Sequence, residues 1–358
     1  MISKNNVYVI AEAGVNHNGN LNIAKKLILA AKGSGADAIK FQNFTADNLV
    51  TRKAKKAPYQ IKNTKNKSNQ FKMLKDLELK KNEYFELKKF SKKNKIDFLS
   101  SVFDIESIFF LKRGLKMKNV KIPSGEITNF PLLNKLNKNF NKIYLSTGMS
   151  NVKEIAESLN QIMNFKVFLS KNNKIKILNR KKFNILKKKV IILHCVTDYP
   201  VKDEFANLQC INSIKKMFDL KVGYSDHTKG IIAPLIACSK GASVIEKHLT
   251  LNKNMKGPDH LASLEPKEFK SMVNQIRKFE EMNGDGIKRL LKCEIKNKKI
   301  ARKSVVANRH ILKGETFTYE NLTTKRPGDG LCASKLKNLI NKKSKRNYKA
   351  NQLIKEKI

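Results

Sequence analysis

No C-x-x-C pair occurs in this sequence, and its five cysteines (Cys195, Cys210, Cys238, Cys293 and Cys332) are an odd number. That count and spacing exclude a closed disulfide framework and a zinc knuckle, so reduced thiols and a cytoplasmic setting are the expectation. No run approaches ~20 consecutive apolar residues, so no membrane span is expected. The opening "MISKNNVYVIAEAGVNHNG" places a lysine before apolar residues, yet the run is short and Glu12 interrupts it. A first β-strand suits it better than a signal peptide. Acidic residues are scarce: 30 Asp and Glu stand against 74 Lys and Arg, a formal net charge of +44. A polyanion-binding protein on a barrel scaffold would carry such an excess. The basic residues are nevertheless spread along the whole chain ("KKNEYFELKKFSKKNK", "NRKKFNILKKK", "LINKKSKRNYK"), with no helix-turn-helix or ribonucleoprotein pattern. Drift toward Lys, Asn and Ile accounts for them, and neither a nucleic-acid nor a membrane partner is expected.

What is present is a core. Apolar residues make up 41% of 358 positions, enough for one barrel-sized domain plus an appendage. Eight short apolar runs recur: "VYVIAE" (7–12), "ADAIKF" (36–41), "IDFLSS" (96–101), "NVKIPS" (119–124), "KIYLST" (142–147), "VIILHC" (190–195), "KVGYS" (221–225) and "SVIEK" (243–247). Segments with helical spacing separate them, such as "NIAKKLILAAKGSG", "KNEYFELKKFSKKN" and "NVKEIAESLNQIM". Eight β/α units over ~250 residues imply a TIM (β/α)8 barrel. A doubly wound open sheet is the alternative, but no G-x-G-x-x-G follows the first strand.

Two connections are long. Residues 43–78 follow the second strand, where an active-site lid or binding loop belongs, and 164–189 read as a basic, Asn-rich surface insertion. The pattern changes near residue 282. The domains read as 1–282 (barrel), 283–301 (linker) and 302–358, a small β-rich domain.

In such a barrel the polar residues at the C-terminal strand ends face the active site. Those ends supply Glu12, Lys40, Gln42, Ser101, Lys121, Ser124, Glu126, Ser146, Thr147, His194, Tyr199, Ser225, His227, Glu246 and His248. Two lysines and several serines at one mouth suit a phosphate or carboxylate. His227 and His248 close neighbouring strands. With a carboxylate they would suit Mn²⁺, Fe²⁺ or Zn²⁺, although either histidine alone could be a hydrogen-bonded structural residue. Asp226 points to the other face, and the His194–Cys195 pair reads as structural.

The stretches "IAEAGVNHNGN", "KFQNF", "KIPSGEITNFPLL", "LSTGMS", "LHCVTDYP", "VGYSDHTKG", "IEKHLTLNKNMKGPDHLASLEP" and "KRPGDG" fall in one order along nearly the whole chain. Together they resemble the sialic acid (nonulosonic acid) synthases. The resemblance implies a TIM barrel followed by a C-terminal SAF (antifreeze-like) domain. It also implies a metal-dependent condensation of phosphoenolpyruvate with an N-acetylated hexose in a domain-swapped homodimer. N-acetylneuraminate synthase is the first expectation; an N,N'-diacetyllegionaminate synthase using 2,4-diacetamido-2,4,6-trideoxymannose is the alternative.

By the same resemblance, His227 and His248 hold Mn²⁺ or Mg²⁺ near Glu12. Lys40, Lys121, Ser124, Ser146 and Ser225 bind phosphoenolpyruvate, with Ser101 beside them. Gln42, Asn63, Tyr199 and Asp259 line the acceptor-sugar side, as does Glu126. Arg326 contacts the sugar's N-acetyl group from the neighbouring subunit. Glu12 or Glu126 handles a proton. The chain departs from the family at two places. Ser101-Val102-Phe103 stands where relatives usually show "STPF", and Val196-Thr197 stands where they often carry an Asn.

Overall fold

A computed structural model describes residues 6–64 and 68–355. The chain divides into two compact units, Met1–Gly284 and Asp285–Ile358. In the first, all eight apolar runs form strands of one closed parallel barrel. They are β1 (Tyr8–Gly14), β2 (Ala38–Asn43), β3 (Asp97–Val102), β4 (Asn119–Ile122) and β5 (Lys142–Ser146). A hairpin of β6 (Phe168–Lys171) and β7 (Lys174–Ile177) intervenes before β8 (Val190–Cys195), β9 (Lys221–Asp226) and β10 (Val244–His248). The barrel order is β1-β10-β9-β8-β5-β4-β3-β2.

The two-residue period of a strand decides what each barrel residue faces. One parity of the strands supplies the barrel interior, where Ile10, Ala38, Leu99, Tyr144, Ile191, Leu193 and Val244 form one buried cluster. The other parity (Val9, Ile39, Phe41, Val120, Ile143, Ile192, Val222 and Ile245) belongs to the larger core that the surrounding helices complete. Continuing the inner parity to the strand ends leads from Ile10 to Glu12, from Ala38 to Lys40, from Leu99 to Ser101 and from Val244 to Glu246 and His248. Greasy interior and polar mouth are thus one set of positions.

Helix boundaries follow from caps. The first helix, Leu21–Gly33, begins where the Asn20 side chain accepts bonds from the Asn22 and Ile23 amides, a contact worth ~1 kcal/mol. It ends before Gly35, whose φ of +82° is left-handed. The 43–78 connection is not structureless, because it contains the helices Pro58–Thr64 and Gln70–Leu77.

The 164–189 segment differs from its reading as a surface insertion. Only the β6–β7 hairpin is extra; Arg180–Lys189 is a barrel helix that buries Phe183 and Leu186. Lysines outnumber that one apolar pair in the sequence and hide it.

In the second unit β11 (Ser304–Ala307) pairs antiparallel with β12 (Leu322–Lys325), and Val305, Ala307, Ile311, Phe317, Leu322, Leu339, Tyr348 and Ile354 make its core. The stretch 283–301 falls almost wholly in this unit and includes the helix Ile295–Ala301. Among the described residues, no helix is long and apolar enough to cross a membrane.

Two buried histidines outside the mouth make barrel stability pH-dependent. Burial lowers His17 and His260 from 6.5 to about 4. The unfolded chain therefore binds protons near pH 6.5 that the folded chain refuses until about pH 4. Stability is complete above 6.5 and is lost as pH falls through that window, at about 1.4 kcal/mol per pKa unit. The urea midpoint should drop between pH 7.5 and pH 5, and less steeply in His17→Gln. Equal slopes in the two proteins would remove His17 as the cause.

Candidate active site

Strand register sets the site. Glu12 on β1 is level with Lys40 on β2 and with His248 on β10. Ser101 on β3 is level with Gln42 and with Lys121, and Ser225 on β9 is level with Glu246 and Cys195. These residues open into one cavity. It is lined by Glu12, Lys40, Gln42, Ser101, Lys121, Ser124, Ser146, Tyr199, Ser225, His227, His248 and Asp259 among the residues expected from the sequence.

Of the residues given roles by the resemblance, three are not in that lining, and the strand-end residues Thr147 and His194 are also absent from it. Glu126 is half-buried and accepts a bond from Asn129 Nδ2 at 2.6 Å. Asn63 donates to the Pro258 carbonyl at 2.6 Å, tying the long β2 connection to the loop after β10. Arg326 is exposed at the end of β12 in the second unit.

An ionic network fills the floor. Lys40 Nζ lies 2.8 Å from Glu12 Oε2 and 3.6 Å from Glu246 Oε2, and it donates to Ser101 Oγ at 3.1 Å. Glu246 Oε1 takes Lys121 Nζ at 2.6 Å and the Ser225 hydroxyl at 2.9 Å. Gln42 donates to Glu12 Oε1 at 3.1 Å. Burial would favour a neutral Glu246, but Lys121 and Lys40 outweigh it and hold the carboxyl at about 2. Burial pulls Lys40 down, and the charges of Glu12 and Glu246 more than restore it. Lys121 is pulled down by desolvation that Glu246 only partly offsets, so the floor sets two desolvated amine groups at a spacing suited to donate to a small anion. The Ser146 and Thr197 hydroxyls, both buried, have no hydrogen-bond partner and are free to serve such an anion.

Glycine permits this closeness. Gly148 donates its amide to Ser124 Oγ at 3.0 Å, and a β-carbon there would collide with the Thr197 and Ser124 hydroxyls.

The opposite side carries imidazoles and an acid. The rings of His227 and His248 are 5.6 Å apart, and Tyr199 packs on His227 at 4.1 Å and on Tyr59 at 4.8 Å. His227 Nδ1 is 2.7 Å from the Val196 carbonyl; burial disfavours the charged ring, but Cys195 and that carbonyl outweigh it and raise the group above its ordinary value. His248 Nδ1 is buried without a partner, and burial first, then His227 and Lys40, holds this ring neutral. A β-carbon at Gly14 would meet Glu12 Oε1 at 3.3 Å and His248 Cε1 at 3.5 Å, so carboxylate and imidazole are neighbours. Two imidazoles near a carboxylate are ligand types that suit a divalent cation. Among the described residues, however, no group of three or more His, Cys, Asp or Glu could hold a metal ion, so a cation at this histidine pair would need further oxygen ligands. Asp259, buried and facing Glu12's charge, is raised to about 7.

Sequence reasoning assigned no role to Glu246, although strand parity placed it at the mouth. Its links to Lys40 and Lys121 join residues distant in the chain, which no local pattern displays. Tyr59 and the apolar lining from the β2 connection were also missed.

The chain thus carries, at the mouth of a closed (β/α)8 barrel, one cavity that gathers two lysines, several serines and a pair of histidines. The NeuB family profile matches residues 27–288 and the SAF domain profile matches 302–357. The N,N'-diacetyllegionaminic acid synthase of Campylobacter jejuni subsp. jejuni serotype O:2 is 51% identical over 97% of this chain and 98% of that protein. The Legionella pneumophila protein of the same name is 40% identical over 96% of this chain and 92% of its own. A crystal structure of an N-acetylneuraminic acid synthetase from Leptospira borgpetersenii, in complex with citrate, superposes with a TM-score of 0.67. It is 31% identical and covers 82% of this chain and 90% of that one.

The chain belongs to the NeuB family. It is an enzyme of that family's class, a phosphoenolpyruvate-dependent condensing nonulosonic acid synthase.

Proposed function

We propose that this protein makes N,N'-diacetyllegionaminate, joining phosphoenolpyruvate to 2,4-diacetamido-2,4,6-trideoxymannose with release of phosphate. The first expectation, N-acetylneuraminate, is less well supported: legionaminic acid synthases are similar to this chain at 51% and 40% identity over nearly its full length. The observation that carries the reaction class is the cavity itself, where Lys40, Lys121 and the serines face the same space as His227, His248 and Glu12.

In this reading Lys40, Lys121, Ser101, Ser124, Ser146 and Ser225 hold the phosphate and carboxylate of phosphoenolpyruvate and fix its enol carbon against the aldehyde. Gln42, Tyr199 and Asp259 orient the acceptor. His227 and His248, beside Glu12, would hold Mn²⁺ or Mg²⁺, whose chemistry there is Lewis-acid polarisation of the aldehyde oxygen. The enol carbon forms the new C–C bond. Its neighbour becomes cationic, water adds there, and the C–O bond to phosphate then breaks. Glu12, which lines the cavity, is the better proton carrier than Glu126, which does not. Arg326 would reach the acceptor of a second copy in a homodimer, and the reaction would run in the cytoplasm.

Phosphate release should be followed with phosphoenolpyruvate, Mn²⁺ and either sugar. Turnover is expected with the diacetamido sugar, at least tenfold faster than with N-acetylmannosamine. No phosphate with either acceptor would overturn the proposal.

A further inference from the structure

The cavity has a face that the ionic machinery leaves unused. The side chains of Val15, Met73, Leu74, Leu77 and Phe103 line it. They are continuous with Phe44 and Ala46 in one apolar cluster. Three come from the helix Gln70–Leu77 in the long β2 connection. That helix starts where Asn69 Oδ1 accepts from the Lys72 amide, and the Gln70 amide is tied to the Ala54 carbonyl at 3.0 Å. Spacing at 73, 74 and 77 turns one face inward, while Lys72, Lys75 and Asp76 face out. A short amphipathic helix therefore presents methyl and methylene groups to the same space as Lys40 and His248.

Nothing in the chemistry of phosphoenolpyruvate needs such a wall. A fully hydroxylated hexose would bring hydroxyls to it, which lose water and gain no partner. A 6-deoxy sugar with two acetamido groups carries three methyls, and apolar burial rewards them.

We infer that the Gln70–Leu77 helix selects the acceptor: Met73, Leu74 and Leu77 form a docking wall for the methyl groups of a 6-deoxy, diacetamido sugar. The inference rests on the synthase reading and specifies its acceptor class. A hydrophobic pocket discriminates a missing or extra group by roughly 10–200-fold, so a preference of that size is expected and no more.

The test compares kcat/KM for 2,4-diacetamido-2,4,6-trideoxymannose, N-acetylmannosamine and 6-deoxy-N-acetylmannosamine in wild type and in Met73→Gln, which nearly conserves volume. The variant should lose about 10-fold or more with the diacetamido sugar and less than about 3-fold with N-acetylmannosamine, with the KM for phosphoenolpyruvate unchanged. The 6-deoxy monoacetamido sugar should fall between them. Equal losses with all acceptors, or none, overturn the selecting role while leaving the synthase standing. Absence of turnover in wild type with every acceptor overturns the synthase reading instead. Leu77→Ala, which opens the wall without adding a polar group, supplies the same comparison should Met73→Gln not fold.

Discussion

Lys247→Met is expected to destabilise the barrel by about 3–5 kcal/mol. Lys247 and Asp226 form an ion pair at 2.5 Å with both side chains 0% exposed. The ammonium also donates to the Thr228 carbonyl at 2.5 Å, and Asp226 accepts from the Thr228 amide at 2.8 Å. Removing the cation leaves a buried carboxylate with only the Thr228 amide and the Tyr224 hydroxyl to satisfy it, and that uncompensated charge is the cost. Removing both charges, as in Lys247→Met with Asp226→Leu, should recover much of the loss, because a well-packed apolar pair can replace a buried ion pair. Urea unfolding of the two single variants and the double variant measures the coupling. A loss below about 1 kcal/mol in the single variant would contradict this account.

His227→Ala should reduce metal-dependent phosphate release about a thousandfold, the several kcal/mol that Lewis-acid stabilisation supplies. The fold should persist, because the ring borders the cavity and its polar ties are to the Val196 carbonyl at 2.7 Å and the Cys195 thiol at 3.7 Å. Two readouts separate metal loss from collapse: Mn²⁺ binding followed by calorimetry, and the thermal midpoint. Retained turnover with retained Mn²⁺ binding would remove His227 from the metal site.

The barrel was legible because its strands are continuous apolar runs, the pattern that burial on both faces imposes. Glu12, Lys40, Ser101, Ser225 and His248 were legible for a related reason: strand parity and position place them at the mouth whatever their partners. Partners are another matter. Lys121 and Glu246 lie 125 positions apart and meet because β4 and β10 face across the barrel, information that exists only in the closed sheet. The same holds for Asp226, whose partner Lys247 sits on the neighbouring strand at the matching outward position. The wall of Met73, Leu74 and Leu77 was invisible because a helical apolar face reads the same whether it packs on core or on substrate. Glu126 shows the converse, a polar residue just past a strand end that the following 3-10 turn, Ser124–Glu126, carries out of the cavity lining.

Glu246 already touches both lysines, and Lys40 already touches Glu12. Each lysine at the floor of the mouth is thus already paired with a carboxylate of the protein itself. A phosphate ester carrying a carboxylate therefore does not fall into a positive well; it competes with internal counter-ions for the same lysines. The long-range attraction comes from elsewhere, from the +44 spread over the whole chain, which steers anions toward the protein but does not choose where they rest.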